Sequence, residues 1–237
     1  DLPGALAAYR KGLEIRERLA RQDPANAGWQ RDLSVSHEKI GNILSAQGDL
    51  PGALAAHRKA QEITERLARQ DPANAQWQRD LSVSHNNIGA LLSAQGDLPG
   101  ALAAFRKGLE IIERLAQQDP ANAGWQHDLS VSHGKIGEIL RAQSDLPGAL
   151  AAFRKGLEIR ERLARLDPVN VRWQTDVAVS CWNLSRLRGQ GVSEREAADW
   201  LKRGLEIMER LAREGRLTAD QQGWAQLFRE ELAKLKR

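Results

Sequence analysis

One stretch of this chain decides its fold. It covers residues 49–96 and reads DLPGALAAHRKAQEITERLARQDPANAQWQRDLSVSHNNIGALLSAQG. Copies of it begin at residues 1, 97 and 145, and all of them open with Asp-Leu-Pro-Gly-Ala-Leu-Ala-Ala. A degraded fifth copy covers 193–216, and a last segment covers 218–237. Self-similarity at a fixed period of 48 residues predicts an array in which each copy is one structural unit.

Each copy is predicted to form two helices. In the copy at 49–96, Asp49 is a suitable N-cap with Pro51 in the first turn, and the helix should end near Gln70, before an Asp-Pro pair. We name this helix B. After a short turn, Asn74 can cap a second helix, helix A, which should end at Gly96, a residue that tolerates the left-handed conformation.

The apolar residues of both helices follow the helical period. Helix B has a broad apolar arc, which indicates contact with two neighbouring helices. Small residues such as Gly89 lie within the helices although glycine lowers helix propensity by up to about 1 kcal/mol. Their presence there indicates that the helices pack closely at these positions. Helix A has a narrower apolar stripe, formed by Trp77, Leu81, His85, Ile88 and Leu92. The expected fold class is all-α, with about ten helices in antiparallel pairs.

These residues resemble the tetratricopeptide repeat. The resemblance rests on the pair Ile88-Gly89, on the Gly-Asp-Leu-x-x-Ala turn at 48–53, and on a small residue in helix B. It implies one right-handed α-solenoid domain over 1–237, with a capping helix at 218–237. The period exceeds the family's usual 34 residues by about two turns in each helix, which is similar to the long-helix bacterial and kinesin light chain-type repeats.

In this family the A helices line a concave groove, so the resemblance implies a protein or peptide partner. A helical wheel places one set of residues opposite the apolar stripe, and the copies differ most at these positions. Solvent-exposed drift is the alternative explanation of that variation. The predicted partner-binding residues are Arg31, Glu38, Asn42, Arg79, Asn86, His127, Glu138, Arg141, Trp182 and Arg186.

Trp182 has two interpretations. It replaces Glu38, Asn86 and Gly134 of the other copies, and tryptophan is enriched in binding hot spots. Alternatively it packs against an irregular C-terminal segment, where Trp224 also appears. The sequence leaves both open.

Charge and composition limit the classes of partner and the location that we expect. The net charge is +4, but each copy is nearly neutral and contains no basic run, so we expect no nucleic-acid partner. No apolar run reaches about 18 residues, so we expect no membrane insertion. A single cysteine, Cys181, fits a reducing compartment, and we expect the cytoplasm.

The histidines at 37, 85 and 133 recur at one position of helix A, where the next copy has Cys181. Because neighbouring helices lie about 8–10 Å apart, these side chains should not converge on one metal ion and are expected in the core. The motifs HExxH, GxxxxGK[ST], GxGxxG and GxSxG are all missing. We therefore expect no catalytic, cofactor or metal site, and no enzyme activity.

Two further function classes stay open. The first copy begins at helix B, so the apolar face around Leu6, Tyr9 and Leu13 lacks a preceding helix A. That face could make the chain a self-association module. The chain could also be a regulatory arm of a larger multidomain enzyme or signalling protein.

Overall fold

A computed structural model describes residues 1–235 of the chain. Within these residues no helix is long and apolar enough to cross a membrane. The all-α solenoid class is confirmed, since the described residues form ten α-helices, one 3-10 turn at Ala219–Gln221 and one isolated bridge between Arg188 and Val192. The helices are α1 (Leu2–Gln22), α2 (Ala27–Ala46), α3 (Leu50–Gln70), α4 (Ala75–Ala94), α5 (Leu98–Gln118), α6 (Ala123–Ala142), α7 (Leu146–Leu166), α8 (Val171–Ser185), α9 (Glu194–Arg213) and α10 (Trp224–Lys234).

The chain divides into two compact units. Unit 1 comprises Asp1–Gln118 with α1 to α5, and unit 2 comprises Asp119–Arg237 with α6 to α10. Inside each unit, consecutive helices pack on one another in chain order. The odd-numbered helices are B helices, and α2, α4, α6 and α8 are A helices. A single domain over 1–237 stays a prediction.

The helix ends predicted for the copy at 49–96 are confirmed, because their signals are local. An Asp49 carboxylate oxygen accepts a hydrogen bond from Gly52 N at 2.9 Å, and Asn74 Oδ1 accepts one from Trp77 N at 3.2 Å. Gly96 has φ +83°, the left-handed conformation that glycine adopts without strain. Ser144, at the matching position two residues after α6, takes φ 64° as a non-glycine residue.

The glycines of the A helices are points of close approach. A Cβ on Gly89 would lie 3.0 Å from the Phe105 ring, and one on Gly137 would lie 2.7 Å from the Phe153 ring. Each ring belongs to the next B helix, so the missing side chain leaves the space in which the aromatic ring packs. His57 fills the same position against the glycine of α2.

Glutamine side chains join A helices to the B helix before them. Gln30 Nε2 donates to the Ala20 carbonyl at 3.2 Å, and Gln78 Nε2 donates to the Ala68 carbonyl at 3.0 Å. These bonds satisfy carbonyl groups of the last turn of a helix, which otherwise lack a partner. The apolar periodicity gave no sign of them.

The C-terminal end departs from the repeat. Helix α8 has 15 residues where α6 has 20, and the chain after Ser185 turns through Gly189 and Gly191, both with positive φ. The predicted capping helix at 218–237 is shorter than expected, because a 3-10 turn precedes α10 and α10 starts only at Trp224. Positions 236 and 237 of that prediction lie outside the described residues.

A separate apolar core holds this end together. Helices α8, α9 and α10 meet in it, and the indole of Trp182 packs on its edge. Its buried members are Ala178, Leu201, Met208, Leu211, Leu217, Ala225 and Phe228.

Candidate functional site

The predicted partner-binding positions lie on one side of the A helices, which we name the A-helix face. In unit 1, Arg31 is half-buried because its guanidinium pairs with the next A helix, with Nε 2.6 Å from Asp80 Oδ2. The hydrogen bond with Asp80 raises the pKa of Arg31. Asn42, one helical turn beyond Glu38, is exposed. Arg31 is therefore engaged in an ion pair with the next A helix, whereas Asn42 faces solvent.

Glu38 takes part in a small polar layer between α2, α3 and α4. Its Oε1 accepts a hydrogen bond from Ser84 Oγ at 3.3 Å, and Thr64 Oγ1 lies 3.3 Å from the same serine oxygen. Burial raises the pKa of Glu38, an effect that the serine hydrogen bond partly opposes. Arg79 and Asn86 on α4 are half-buried.

His127 differs from the expectation of an open groove position. It is only 9% exposed, and its Nε2 lies 3.0 Å from Asp176 Oδ2 on α8. The carboxylates of Asp128 and Asp176 raise the pKa of His127. The position is buried because it faces the next A helix, a contact that a wheel drawn for one helix does not include.

The contacts of Trp182 agree with the interpretation that it packs against the C-terminal segment. Its ring meets that of Phe228 edge to face, with centroids 5.2 Å apart and planes at 77°. The same tryptophan also lines an open apolar cavity of about 270 Å³ between α8 and α10. We name this cavity the apolar pocket; its lining residues are Val179, Trp182, Trp224, Leu227 and Phe228.

A second cavity begins one helical turn further along α8. Arg186 lies four residues after Trp182, and it is the C-terminal cap of the helix rather than a residue inside it. Arg141 and Arg186 line this cavity of about 290 Å³ together with Arg188. The structure thus brings two predicted residues, Arg141 and Arg186, together in one cavity. Glu138 lies a turn before Arg141 and pairs with Lys135 at 3.1 Å.

The recurring histidines lie in the core, as predicted. Burial lowers the pKa of His37, His85 and His133, and it lowers that of His133 to about 4. His85 Nδ1 lies 2.9 Å from Gln61 Nε2, a local hydrogen-bond partner. Burial raises the pKa of the Cys181 thiol to about 12. No group of three His, Cys, Asp or Glu side chains within residues 1–235 could hold a metal ion.

The sequence interpretation missed Arg160, a buried arginine on α7 behind the A-helix face. Its guanidinium donates to Ser130 Oγ on α6 and to Ser180 Oγ on α8. The available signal was comparison of copies, because the matching position is Arg16 in the first copy, Thr64 in the second and Ile112 in the third.

Comparison with known proteins agrees with the geometry. Residues 84–121 match the family model described as tetratricopeptide repeat. The crystal structure of BtubC (BKLC) from P. vanneervenii superposes with a TM-score of 0.69 at 19% identity, covering 100% of this chain and 87% of that one. The crystal structure of MamA gives a TM-score of 0.46 at 17% identity, covering 90% and 92%. A search of curated protein sequences found no match.

Proposed function

We propose that this chain, which carries repeats of the tetratricopeptide type, is a non-enzymatic scaffold that holds a peptide or protein segment on its A-helix face. Repeat arrays present extended surfaces of this kind, and the fold itself is compatible with protein partners in general. The surface that we propose for binding lies in unit 2.

The apolar pocket carries the proposal. Leu227 is 49% exposed at its rim, and the cavity is open to solvent although its lining side chains are all apolar. An open apolar cavity is typical of a binding site, since exposed apolar surface is unfavourable unless something covers it. Arg141 and Arg186 line the second cavity together with Glu231, and tryptophan and arginine are among the residues enriched in binding hot spots. We therefore expect a partner segment with a bulky apolar side chain.

The test changes the rim of the apolar pocket and leaves the core intact. Leu227→Lys, Arg141→Glu and Arg186→Glu are combined, because all three side chains are at least partly exposed. Trp182 is left in place, since its ring packs on Phe228 and its loss would disturb the core of this end. Partners captured from a lysate by the unchanged protein are identified, purified and titrated against both proteins. We expect the variant to bind at least about tenfold more weakly.

The control carries equivalent charge reversals on the B helices. Arg58→Glu and Arg106→Glu alter exposed positions of α3 and α5, and the double variant should bind as the unchanged protein does. Thermal unfolding of all three proteins shows that folding is preserved. Equal affinity of the pocket variant and the control for every partner would refute the A-helix face of unit 2 as the binding surface.

Self-association is a second candidate, and the surface of α1 favours it. Ile15 is 52% exposed and Tyr9 is exposed as well, whereas the matching aromatics Phe105 and Phe153 are buried. Light scattering over a range of concentrations tests this. The mass of the unchanged protein should rise with concentration, and Tyr9→Lys with Ile15→Lys should hold it at the monomer; a constant monomer mass for both removes this candidate.

The other parts of the functional interpretation stay predictions from the sequence. They are the exclusion of nucleic acid as a partner, a cytoplasmic location, and a role as the regulatory arm of a larger protein.

A further inference from the structure

The two units contain the same polar arrangement with a different charge at its centre. Positions in unit 1 have counterparts 96 residues later in unit 2, which is two repeats. Arg31 pairs with Asp80 in unit 1, and the counterpart His127 pairs with Asp176 in unit 2. The repeated pairing makes the surroundings of these residues directly comparable.

In unit 1, the chain supplies its own carboxylate to this arrangement. Glu38 projects from α2 and accepts a hydrogen bond from Ser84 Oγ of α4. Behind them Thr64 of α3 contributes a neutral hydroxyl, 3.3 Å from the serine oxygen. A carboxylate thus lies on the A-helix face, over a neutral group.

In unit 2, a guanidinium replaces the neutral hydroxyl. Arg160, the counterpart of Thr64, is 8% exposed. Its Nε donates to Ser130 Oγ at 3.2 Å, and its Nη1 donates to Ser180 Oγ at 2.8 Å and to the Asp176 carbonyl at 3.2 Å. All three acceptors are neutral oxygens, and within residues 1–235 no carboxylate forms an ion pair with Arg160.

The carboxylate is missing from unit 2 as well. Gly134 occupies the position of Glu38, and a Cβ built on it would lie 3.6 Å from Arg160 Nη2, with no other contact within 4 Å. Gly134 is half-exposed. The volume that a side chain would fill therefore lies open, directly over the second terminal nitrogen of the guanidinium.

The two acidic side chains whose charges act on Arg160 each have another partner. Asp176 pairs with His127 at 3.0 Å, and Glu138 pairs with Lys135 at 3.1 Å. Burial lowers the pKa of Arg160, while Asp176 and Glu138 oppose that shift from a distance. A buried cation without a direct counterion is costly, so binding an anion there is favourable.

We propose that Arg160 binds an acidic side chain of a partner protein, which enters over Gly134 and takes the place that the Glu38 carboxylate occupies in unit 1. This proposal adds a specific site to the proposed function. It rests on the proposed function only in taking the ligand to be part of a partner protein. The binding site itself is a property of this chain and can be tested with a synthetic peptide.

The probe is acetylated, amidated hexaglutamate, with the matching hexaglutamine peptide as the neutral reference. Calorimetry gives the Kd, and the NMR signal of the Arg160 Nε–H group reports on the site itself. Gly134→Glu supplies the missing carboxylate from within the chain, as Glu38 does, and should weaken hexaglutamate binding by about tenfold or more. Arg160→Ile, which introduces the residue found at position 112, should do the same.

The matched control is Ala90→Glu, which adds the same charge at an exposed position of α4 in unit 1. It should bind hexaglutamate within about twofold of the unchanged protein, because exposed charges are well screened by salt. A hexaglutamine peptide with a free C-terminal carboxylate forms a further arm; if it binds and hexaglutamate does not, the proposal of an acidic side chain is overturned.

Two other results overturn the proposal. The first is equal binding of hexaglutamate and amidated hexaglutamine by the unchanged protein, and the second is Gly134→Glu binding hexaglutamate as tightly as Ala90→Glu does. If Arg160→Ile fails to fold, Gly134→Glu still decides, since it alters a half-exposed helix position. Either result leaves the proposed function standing, because the pocket variants at Leu227, Arg141 and Arg186 do not alter Arg160.

Discussion

Two identical substitutions on one helix should change stability in opposite directions. Gly134 and Gly137 both lie inside α6, three residues apart. A Cβ on Gly137 would lie 2.7 Å from Cδ1 and Cε1 of Phe153, whereas one on Gly134 would meet only Arg160 Nη2, at 3.6 Å. We expect Gly134→Ala to stabilise the protein and Gly137→Ala to destabilise it, because the overpacking cost exceeds the gain in helix propensity.

The magnitude follows from the geometry. Carbon atoms pack best at about 3.5–4.0 Å, so the Phe153 ring would have to move by about 1 Å to admit the new methyl group. Overpacking of this kind costs about 1–3 kcal/mol in a well-packed core. Replacing glycine by alanine inside a helix favours folding by up to about 1 kcal/mol at both positions, so this contribution cancels in the comparison. The free energies of unfolding should therefore differ by about 1–3 kcal/mol.

Urea denaturation, followed by circular dichroism, measures both free energies of unfolding. A third pair of proteins carries Phe153→Ala, with and without Gly137→Ala; without the ring, Gly137→Ala should become stabilising. This change of sign assigns the cost to the ring and to nothing else in α6. Equal stabilisation by Gly134→Ala and Gly137→Ala in the unchanged background would refute close packing of Phe153 on Gly137.

Three further predictions concern the buried histidines. His57→Phe should stabilise the protein by about 1–2 kcal/mol in urea denaturation, because His57 Nδ1 is buried without a hydrogen-bond partner among the described residues; destabilisation would show that this nitrogen is satisfied. Because burial lowers the pKa of His133 to about 4 in the folded protein, the unfolded chain takes up the proton first as the pH falls. His133 should therefore cost about 1–3 kcal/mol of stability between pH 6.5 and 4, and His133→Cys, which copies Cys181, should remove that loss; an unchanged pH profile would contradict the assignment. Zinc or a chelator should leave the melting temperature unchanged, since no three ligand side chains converge within residues 1–235, and a reproducible shift would contradict this.

Helix ends could be predicted from the sequence where their signals are local. Asp49 and Asn74 cap their helices through hydrogen bonds that span three residues, so a single copy contains all the information. The end of α8 was harder to place. The repeat implied a full-length helix, but Gly189 and Gly191 stand in its last turn, and both adopt positive φ in a loop. The 48-residue period predicts a helix at these positions, whereas the two glycines themselves disfavour one.

The exposure of residues on the A-helix face could be predicted only in part, because a helical wheel represents one helix alone. It separates the apolar stripe from the opposite side, but it does not show where the next A helix lies. His127 is buried and Asn42 is exposed although both lie outside the stripe, since His127 contacts Asp176 on the neighbouring helix. The partners are 49 residues apart, and no local pattern connects them.

The Arg160 site depends on two differences between the repeats, one at the position of Gly134 and one at the position of Arg160. Gly134 in place of Glu38 suggests an unremarkable surface variation, and Arg160 in place of Thr64 suggests a charged residue on a B helix. Each substitution alone has a simple explanation, and the two positions lie 26 residues apart in both copies. The helix packing places them within contact distance, so that loss of a carboxylate and gain of a guanidinium coincide at one point of the A-helix face. A repeat array can therefore change the charge of its A-helix face from the helix behind it, through a residue that is itself almost completely buried.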